Sequence, residues 1–314
     1  MRIALAAALA LVLAACGGGA GGGSASSPET TAGAQLPAWV KSALGETNGP
    51  DVAATMGSSD FAVGENRVVF LVVRENGALV QTPTATVRYA AADGEPRTST
   101  AVLESLGAEE QGGGEEKPGQ FDVTHVYVAH LEIPREGRYW FVADPAGESI
   151  QAVGTLDVAR QSRTPTVGSK APSSDNPTLA DAPAKAITTA DPPDTDLLRY
   201  SIADSLEAHV PFVAVFATPE FCVSRVCGPT VEVVEKVADK FAGSKLRFVH
   251  VEIYEGNDPD NGYNKWVREW NLPTEPWVFL VDDKGVIRGR FEGAVSVAEL
   301  SEAVTQDLHV TPTR

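Results

Sequence analysis

The sequence predicts two unlike folded regions, an all-β sandwich over residues 36–160 and an α/β domain over residues 197–314. Three observations predict it. Residues 57–160 hold short alternating apolar segments broken by turn residues, the pattern of an antiparallel sandwich. Residues 161–196 hold Pro165, Pro172, Pro177, Pro183, Pro192 and Pro193 among Ser, Thr, Ala and Asp, which reads as a semi-extended linker or a loose wrap. From 197 the period switches to alternating helix and strand signals.

Each element follows from a local pattern. Val68-Val69-Phe70-Leu71-Val72-Val73 is a short apolar run, and Thr84 to Ala91 alternates around Ala85, Val87 and Tyr89. Phe121 to Ile133 alternates through Val123, His125, Tyr127, Ala129 and Leu131, and Tyr139–Ala143 and Ile150–Val158 complete about seven segments. Asn76-Gly77, Asp93-Gly94, Glu136-Gly137 and Pro145-Ala146-Gly147 supply the breaks. In the last third, Ser201–His209 reads as a helix and Pro211–Ala217 as a buried strand. A helix ended by Gly243 follows, with starts signalled at Thr218-Pro219-Glu220 and Cys227-Gly228-Pro229. Leu246–Ile253 is a strand, Asn261–Trp270 a helix, and Pro276–Val281 with Val286–Phe291 a hairpin around Asp283-Lys284-Gly285. Ser296-Val297-Ala298-Glu299 has the form of a capping box opening a last helix to about Asp307.

Composition excludes several functions. A net charge of −17 opposes binding to a phosphate backbone, so nucleic acid is not an expected partner. The same charge opposes an electrostatic grip on anionic lipid. His125 and His130 are five apart and face opposite sides of a regular strand, and Met56 is the one methionine after Met1. No metal or cofactor site is therefore expected.

The chain has three cysteines, Cys16, Cys222 and Cys227. Met1-Arg2, the apolar run Ile3–Leu13 and Leu13-Ala14-Ala15-Cys16 resemble a bacterial lipoprotein signal peptide. That resemblance implies removal of residues 1–15, lipidation of Cys16 and a flexible Gly/Ser/Ala tether over 16–35. About eleven apolar residues are too few to span a bilayer. The expectation is a protein held by lipid on the extracytoplasmic face of a bacterial cell membrane, in an oxidising compartment where Cys222 and Cys227 pair.

Two families are resembled beyond the leader. Val128–Trp140 is similar to the closing hairpin of bacterial Ig-like domains of the CopC/YtkA sort. The region from 197 resembles the thioredoxin superfamily. Phe212–Ala217 leads into the cysteine pair, Trp270-Asn271-Leu272-Pro273-Thr274-Glu275-Pro276-Trp277 looks like the segment before that family's cis-proline, and Phe291-Glu292-Gly293-Ala294 looks like its last strand and glycine. Val167–Pro172 is similar to the entry of TlpA-type and peroxiredoxin domains. The combined expectation is a two-domain protein, an N-terminal Ig-like sandwich followed by a C-terminal α/β thioredoxin-like fold.

The resemblance implies a redox site, with departures. Four residues separate Cys222 from Cys227 where the family has two, and Gly228-Pro229 follows the pair. Counting back from the helix puts Cys227 at the buried, resolving position and Cys222 at the exposed, attacking one. Reading Cys227-Gly228-Pro229 as the family's first cysteine is the other register. Arg225 adds positive charge between them, His250 lies on the strand beneath as a possible proton acceptor or a core histidine, and Glu275 before Pro276 opposes thiolate formation. The expected activity is thiol–disulfide exchange on exported protein thiols or with a membrane redox partner. The competing expectation is a binding or scaffold lipoprotein with a structural disulfide. Copper delivery ranks lower because copper-delivery relatives of thioredoxin pair a Cys-x-x-x-Cys with a downstream histidine and the spacing here differs, and a peroxiredoxin-like role ranks lower because Pro219 stands where that family's threonine belongs.

Overall fold

A computed structural model describes residues 36–45, 52–107, 123–222 and 226–313. In chain order the first part holds α1 (Ala38–Gly45), β1 (Val52–Met56), β2 (Phe61–Ala62), β3 (Gly64–Arg74), β4 (Thr84–Ala91), β5 (Arg97–Ser105), β6 (His125–Ile133), β7 (Gly137–Pro145) and β8 (Ala152–Ala159). The second holds α2 (Ala184–Ile187), α3 (Ile202–Glu207), β9 (Phe212–Phe216), α4 (Cys227–Lys240), β10 (Arg247–Val251), α5 (Lys265–Glu269), β11 (Trp277–Val281), β12 (Ile287–Glu292) and α6 (Val297–Asp307). Among the described residues no helix is long and apolar enough to cross a membrane.

The first part is not the expected sandwich. Its strands run in the order β1-β3-β6-β5-β4-β7-β8, and β1 also pairs with β8 through Ala53 and Val153, so the sheet closes into a seven-strand barrel with β2 added on β8. Closure needs one strand the sequence does not signal. Val52-Ala53-Ala54-Thr55-Met56 is short and alanine-rich, and it becomes a strand because Val52–Met56 pairs in register with Arg74–Phe70. Full closure removes the edge strands that an open sheet must protect.

The second part also departs from the expected separate α/β thioredoxin-like domain. It is a small four-stranded sheet in the order β10-β9-β11-β12, parallel between β10 and β9 and antiparallel elsewhere, with strand rather than helix dominating the chain. This sheet is not detached from the barrel, because Leu36–Arg314 form one compact unit.

Strands buried on both faces explain the merger. Along β3, Val68, Phe70 and Val72 fill the barrel with Tyr127, Leu131 and Phe141. Val69 points the other way, into a second cluster with Val126 and Val128 of β6, Val231, Val234 and Val237 of α4, and Leu300 and Val304 of α6. The small sheet repeats the device. Val213, Val215, Val278 and Leu280 enter that shared cluster, while Phe212, Phe216, Trp277 and Phe279 face α3 and α5 in a third. Runs such as Val68–Val73 are continuous rather than alternating for this reason. A fourth, smaller cluster seats α1 on Trp140 and Val142 outside β7.

The proline-rich segment 161–196 is packed against the small sheet. Lys170 bridges to Val286, the Gly168 N–H donates to the Ile287 carbonyl at 2.8 Å, and the Trp270 indole donates to Ser174 at 3.2 Å. Charged groups cross between barrel and small sheet as well. Arg67 donates two bonds of 2.6 Å to the Glu299 carboxylate and a third to the Ala294 carbonyl at 2.9 Å. Asp60, whose side chain is 4% exposed, pairs with Arg290 at 3.0 Å. Glu292 accepts from Ser59, the Asp60 N–H and Thr274 at 2.7–2.8 Å.

Two predictions come from these contacts. Gly293 has a φ of +74°, and a Cβ there would overlap the Gly57 carbonyl across the barrel–sheet contact. Gly147 has a φ of +81° with open space around it, so it isolates the backbone cost. Gly293→Ala should lower stability by about 2 kcal/mol more than Gly147→Ala, a further loss of roughly 4–8 °C in Tm. Equal losses would mean the close approach does not exist.

The second concerns Glu235 on α4. Burial, then the charges of Asp194, Glu232 and Asp239, push its carboxyl from the usual 4.5 up to about 7. Between those values the folded chain binds more protons than the unfolded one, so this group's contribution to stability falls as pH rises through that window. Glu235→Gln should therefore gain stability over the parent chain at pH 8 and lose that advantage at pH 4. Denaturant midpoints of both proteins at the two pH values measure it, and a pH-independent difference would refute the assignment.

Candidate functional site

Strand β9 is buried throughout and delivers the chain to Ala217, after which residues 218–222 form turns and loop rather than a helix start. The helix begins only at Cys227. Gly228 and Pro229 then fall in its first turn, where proline's missing N–H costs nothing because no carbonyl of the helix would have received it. Cys222 and Cys227 are joined in a disulfide with Cα atoms 5.8 Å apart, inside the range that a bridge between loop and helix start requires.

The two sulfurs differ in setting. Cys227 is fully buried, in the cluster shared by α4, α6 and the barrel, while Cys222 is partly exposed at its edge. Val226 offers α4 no side-chain cap, and the Cys227 N–H donates instead to the Cys222 sulfur at 3.1 Å. The sulfur thereby takes up one of the first-turn N–H groups that the helix itself leaves unpaired. On reduction that N–H and the positive end of a 14-residue helix favour negative charge on Cys222. This is the order of exposure that the first of the two registers assigns. Arg225 and Cys16 lie outside the described residues.

His250, on β10, is 3% exposed with both ring nitrogens occupied. Nε2 lies 3.0 Å from the Ala217 carbonyl and must carry the proton to donate to it, leaving Nδ1 to face the Thr188 hydroxyl at 3.3 Å. An imidazole bonded on both sides in this way braces the end of β9. Glu252, two residues on and therefore on the same side of the extended chain, is 5% exposed and accepts from the Thr189 N–H and hydroxyl at 2.8 and 2.9 Å. The Thr189 oxygen in turn accepts from the Glu220 N–H at 3.2 Å, in the loop that carries Cys222. Sequence reasoning missed Glu252; the signal was one carboxylate at the end of the apolar stretch Leu246–Ile253.

Glu275-Pro276 is a cis peptide, as the sequence led one to expect. Pro276 is buried, and the pairing of Trp277 with Phe216 sets it beside the end of β9 where the cysteine loop departs. Glu275 is half-buried and accepts from the Tyr263 hydroxyl at 3.4 Å. Burial first, then Glu275 and Tyr254, push the Tyr263 phenol up to about 12, so it remains a donor at ordinary pH. Tyr254 is raised by the same causes, burial and then the carboxylates of Glu275 and Glu252. Phe221 meets Tyr254 edge-on at 6.4 Å and Tyr254 packs on Tyr263 at 5.8 Å, so an aromatic row runs from the residue beside Cys222 to Glu275. Sequence reasoning missed this row, whose members lie 33 and 9 residues apart. Among the described residues no three His, Cys, Asp or Glu side chains are grouped to hold a metal ion.

No family model matches the chain, and no curated protein matches it. Solved structures share parts of it, among them two of known description. One is a thiol:disulfide interchange protein of the thioredoxin family from Chlorobium tepidum TLS, 16% identical over 48% of this chain and 99% of that one, with a TM-score of 0.30. The other is the Lin-41 filamin domain, 14% identical over 36% of this chain and 100% of that one, with a TM-score of 0.22. Likenesses of this size assign the chain to no family.

Proposed function

We propose that the Cys222–Cys227 pair carries out thiol–disulfide exchange on exported proteins at the extracytoplasmic face of a bacterial membrane, with the chain anchored through a lipidated Cys16. The observation that carries the reading is the asymmetry of the pair, a partly exposed Cys222 whose sulfur accepts a helix N–H, beside a buried Cys227. In the reduced form the Cys222 thiolate attacks one sulfur of a partner disulfide and expels the other as a thiolate, which takes a proton. Cys227 then loses its proton and attacks the Cys222 sulfur, re-forming the internal disulfide and releasing the partner's second thiol. Two electrons pass to the partner. The reverse sequence oxidises it, and the pair's potential sets the direction.

A second reading, a static bridge in a binding module, is favoured by the depth of Cys227 in the core. Against it stands the size of the effect. Closing so short a loop contributes only about 2 kcal/mol by loop entropy, less than a bridge across the barrel would.

The two readings separate on a redox titration of the full chain. A working pair equilibrates with glutathione above about −300 mV, and a static one lies below it. After mild reduction Cys222 should alkylate before Cys227, and Cys227→Ser should trap a mixed disulfide with the partner in cells. Resistance to millimolar dithiothreitol together with no trapped species would leave only the static bridge. The anchor has its own test: Cys16→Ser should move the protein from the membrane to the soluble fraction, and unchanged retention would remove the lipid from the proposal.

A further inference from the structure

Beside the partly exposed Cys222 lies a surface that the exchange chemistry does not use. Phe221, Tyr254 and Tyr263 form the aromatic row, each side chain neither buried nor fully exposed, and Glu275 closes its far end. The loop between Tyr254 and Tyr263 is closed by a bridge between those two residues and carries Glu255, Asp258 and Asp260, all exposed. Glu220, also exposed, stands on the cysteine loop. Behind Tyr254 is a hollow of about 180 Å³ whose walls include His250, Glu252, Glu255, Asn264 and Trp266. Aromatic faces with carboxylates at their rim suit one kind of guest, a side chain with an apolar stem and a cationic head. The protein supplies a local example: the Lys265 ammonium sits 5.3 Å from the centre of the Trp266 ring while pairing with Asp175 at 2.8 Å.

We propose that this rim docks the partner polypeptide and selects a cysteine flanked by lysine or arginine, the basic side chain lying along Tyr254 toward Glu275, Glu255 and the hollow. The proposal rests on the exchange reading above and names its substrate class. The docked segment's thiolate attacks the Cys222 sulfur, the bond to Cys227 breaks, and Cys227 leaves as a thiolate and takes a proton. A second thiol of the segment then loses its proton and attacks the segment's own sulfur in the mixed disulfide; that sulfur's bond to Cys222 breaks, Cys222 leaves as a thiolate, and the segment, now holding a disulfide, has given two electrons to the Cys222–Cys227 pair. Three basic residues oppose the selection: Arg225 between the cysteines in sequence, Arg268, which donates to the Tyr263 carbonyl, and Lys265 beside Trp266 of the hollow. The five carboxylates Glu220, Glu255, Asp258, Asp260 and Glu275 outnumber them.

The test uses the full chain with its disulfide intact and three short dithiol peptides, identical except for lysine, serine or glutamate beside the cysteines. Rates of reduction of Cys222–Cys227 are measured for each peptide and for 2-mercaptoethanol. Each peptide rate is divided by that peptide's rate with a small-molecule disulfide, which removes the effect of flanking charge on the peptide's own thiols. The lysine peptide should exceed the glutamate peptide by about tenfold at low salt, and the ratio should collapse near 1 M salt, where charges are screened within about 3 Å. Glu275→Gln and, separately, Glu255→Gln should each reduce the ratio, with far-ultraviolet circular dichroism confirming that the variants fold. Equal corrected rates for the three peptides, with 2-mercaptoethanol reacting, would overturn the basic-segment proposal and leave the exchange reading standing. No reaction with any thiol would remove both.

Discussion

Helix α4 is held by one apolar cluster to which every layer contributes, and the placement of the cysteine pair depends on it. Val69, Val126 and Val128 come from outside the barrel, Val213, Val215, Val278 and Leu280 from the small sheet, and Leu300 and Val304 from α6. Against them α4 sets Val231, Val233, Val234 and Val237, none more than 3% exposed. Each such side chain withdrawn from water contributes about 1.5–3 kcal/mol before conformational entropy is subtracted. Cys227 belongs to the same cluster as the helix's first residue, so the packing that seats the helix also sets the height of its N-terminus relative to the loop above. A chain with the same cysteines and a loosely seated helix would have no fixed donor under the exposed sulfur.

The ionic contacts across the barrel–sheet boundary do a different job. Removing Asp60 and Arg290 from water is expensive, and their attraction at 3.0 Å offsets the cost only because other donors and acceptors complete the site. The Arg290 guanidinium also donates to Ser162 and Thr164 at 2.6 and 2.8 Å, and Thr164 donates to Asp60 at 2.8 Å. Glu292 is satisfied by three neutral donors from two separate segments. Such groups are stable in one relative position of barrel and sheet and are left unpaired in any other. They therefore specify alignment more than they add stability, and the glycine contact between residues 57 and 293 requires that alignment to be close.

What the sequence made legible was local. The cysteine pair, the buried strands feeding and flanking it, the cis proline and the start and end of α6 are all carried by nearby residues. The long-range features were not. The barrel closes through a five-residue, alanine-rich strand with no strand signal of its own, and a sandwich was the natural reading of the remaining segments. Ser296 caps α6 as expected, accepting the Glu299 N–H at 3.0 Å, yet the Glu299 carboxylate does not complete a local box. It turns to Arg67, 232 residues away, because a bidentate partner at 2.6 Å is the stronger one. Likewise Asn261–Trp270 shortens to a helix at Lys265–Glu269, with Asn264 capping it through the Val267 N–H at 3.0 Å. The residues before the cap are drawn into the turns that carry the acidic loop.

The proline-rich segment completes the site from outside the motif. Thr188 and Thr189 each reach a buried polar side chain of β10 and its continuation, and each of those side chains or its partner touches the cysteine loop, at the Ala217 carbonyl and the Glu220 N–H. The loop is thereby tied at its start by this relay and at its end by Cys227 in the core, with Cys222 held between two fixed points. His250 and Glu252 are both satisfied by hydroxyl and backbone partners, and their geometry fixes the loop that sets the Cys222 sulfur on the helix N–H of Cys227.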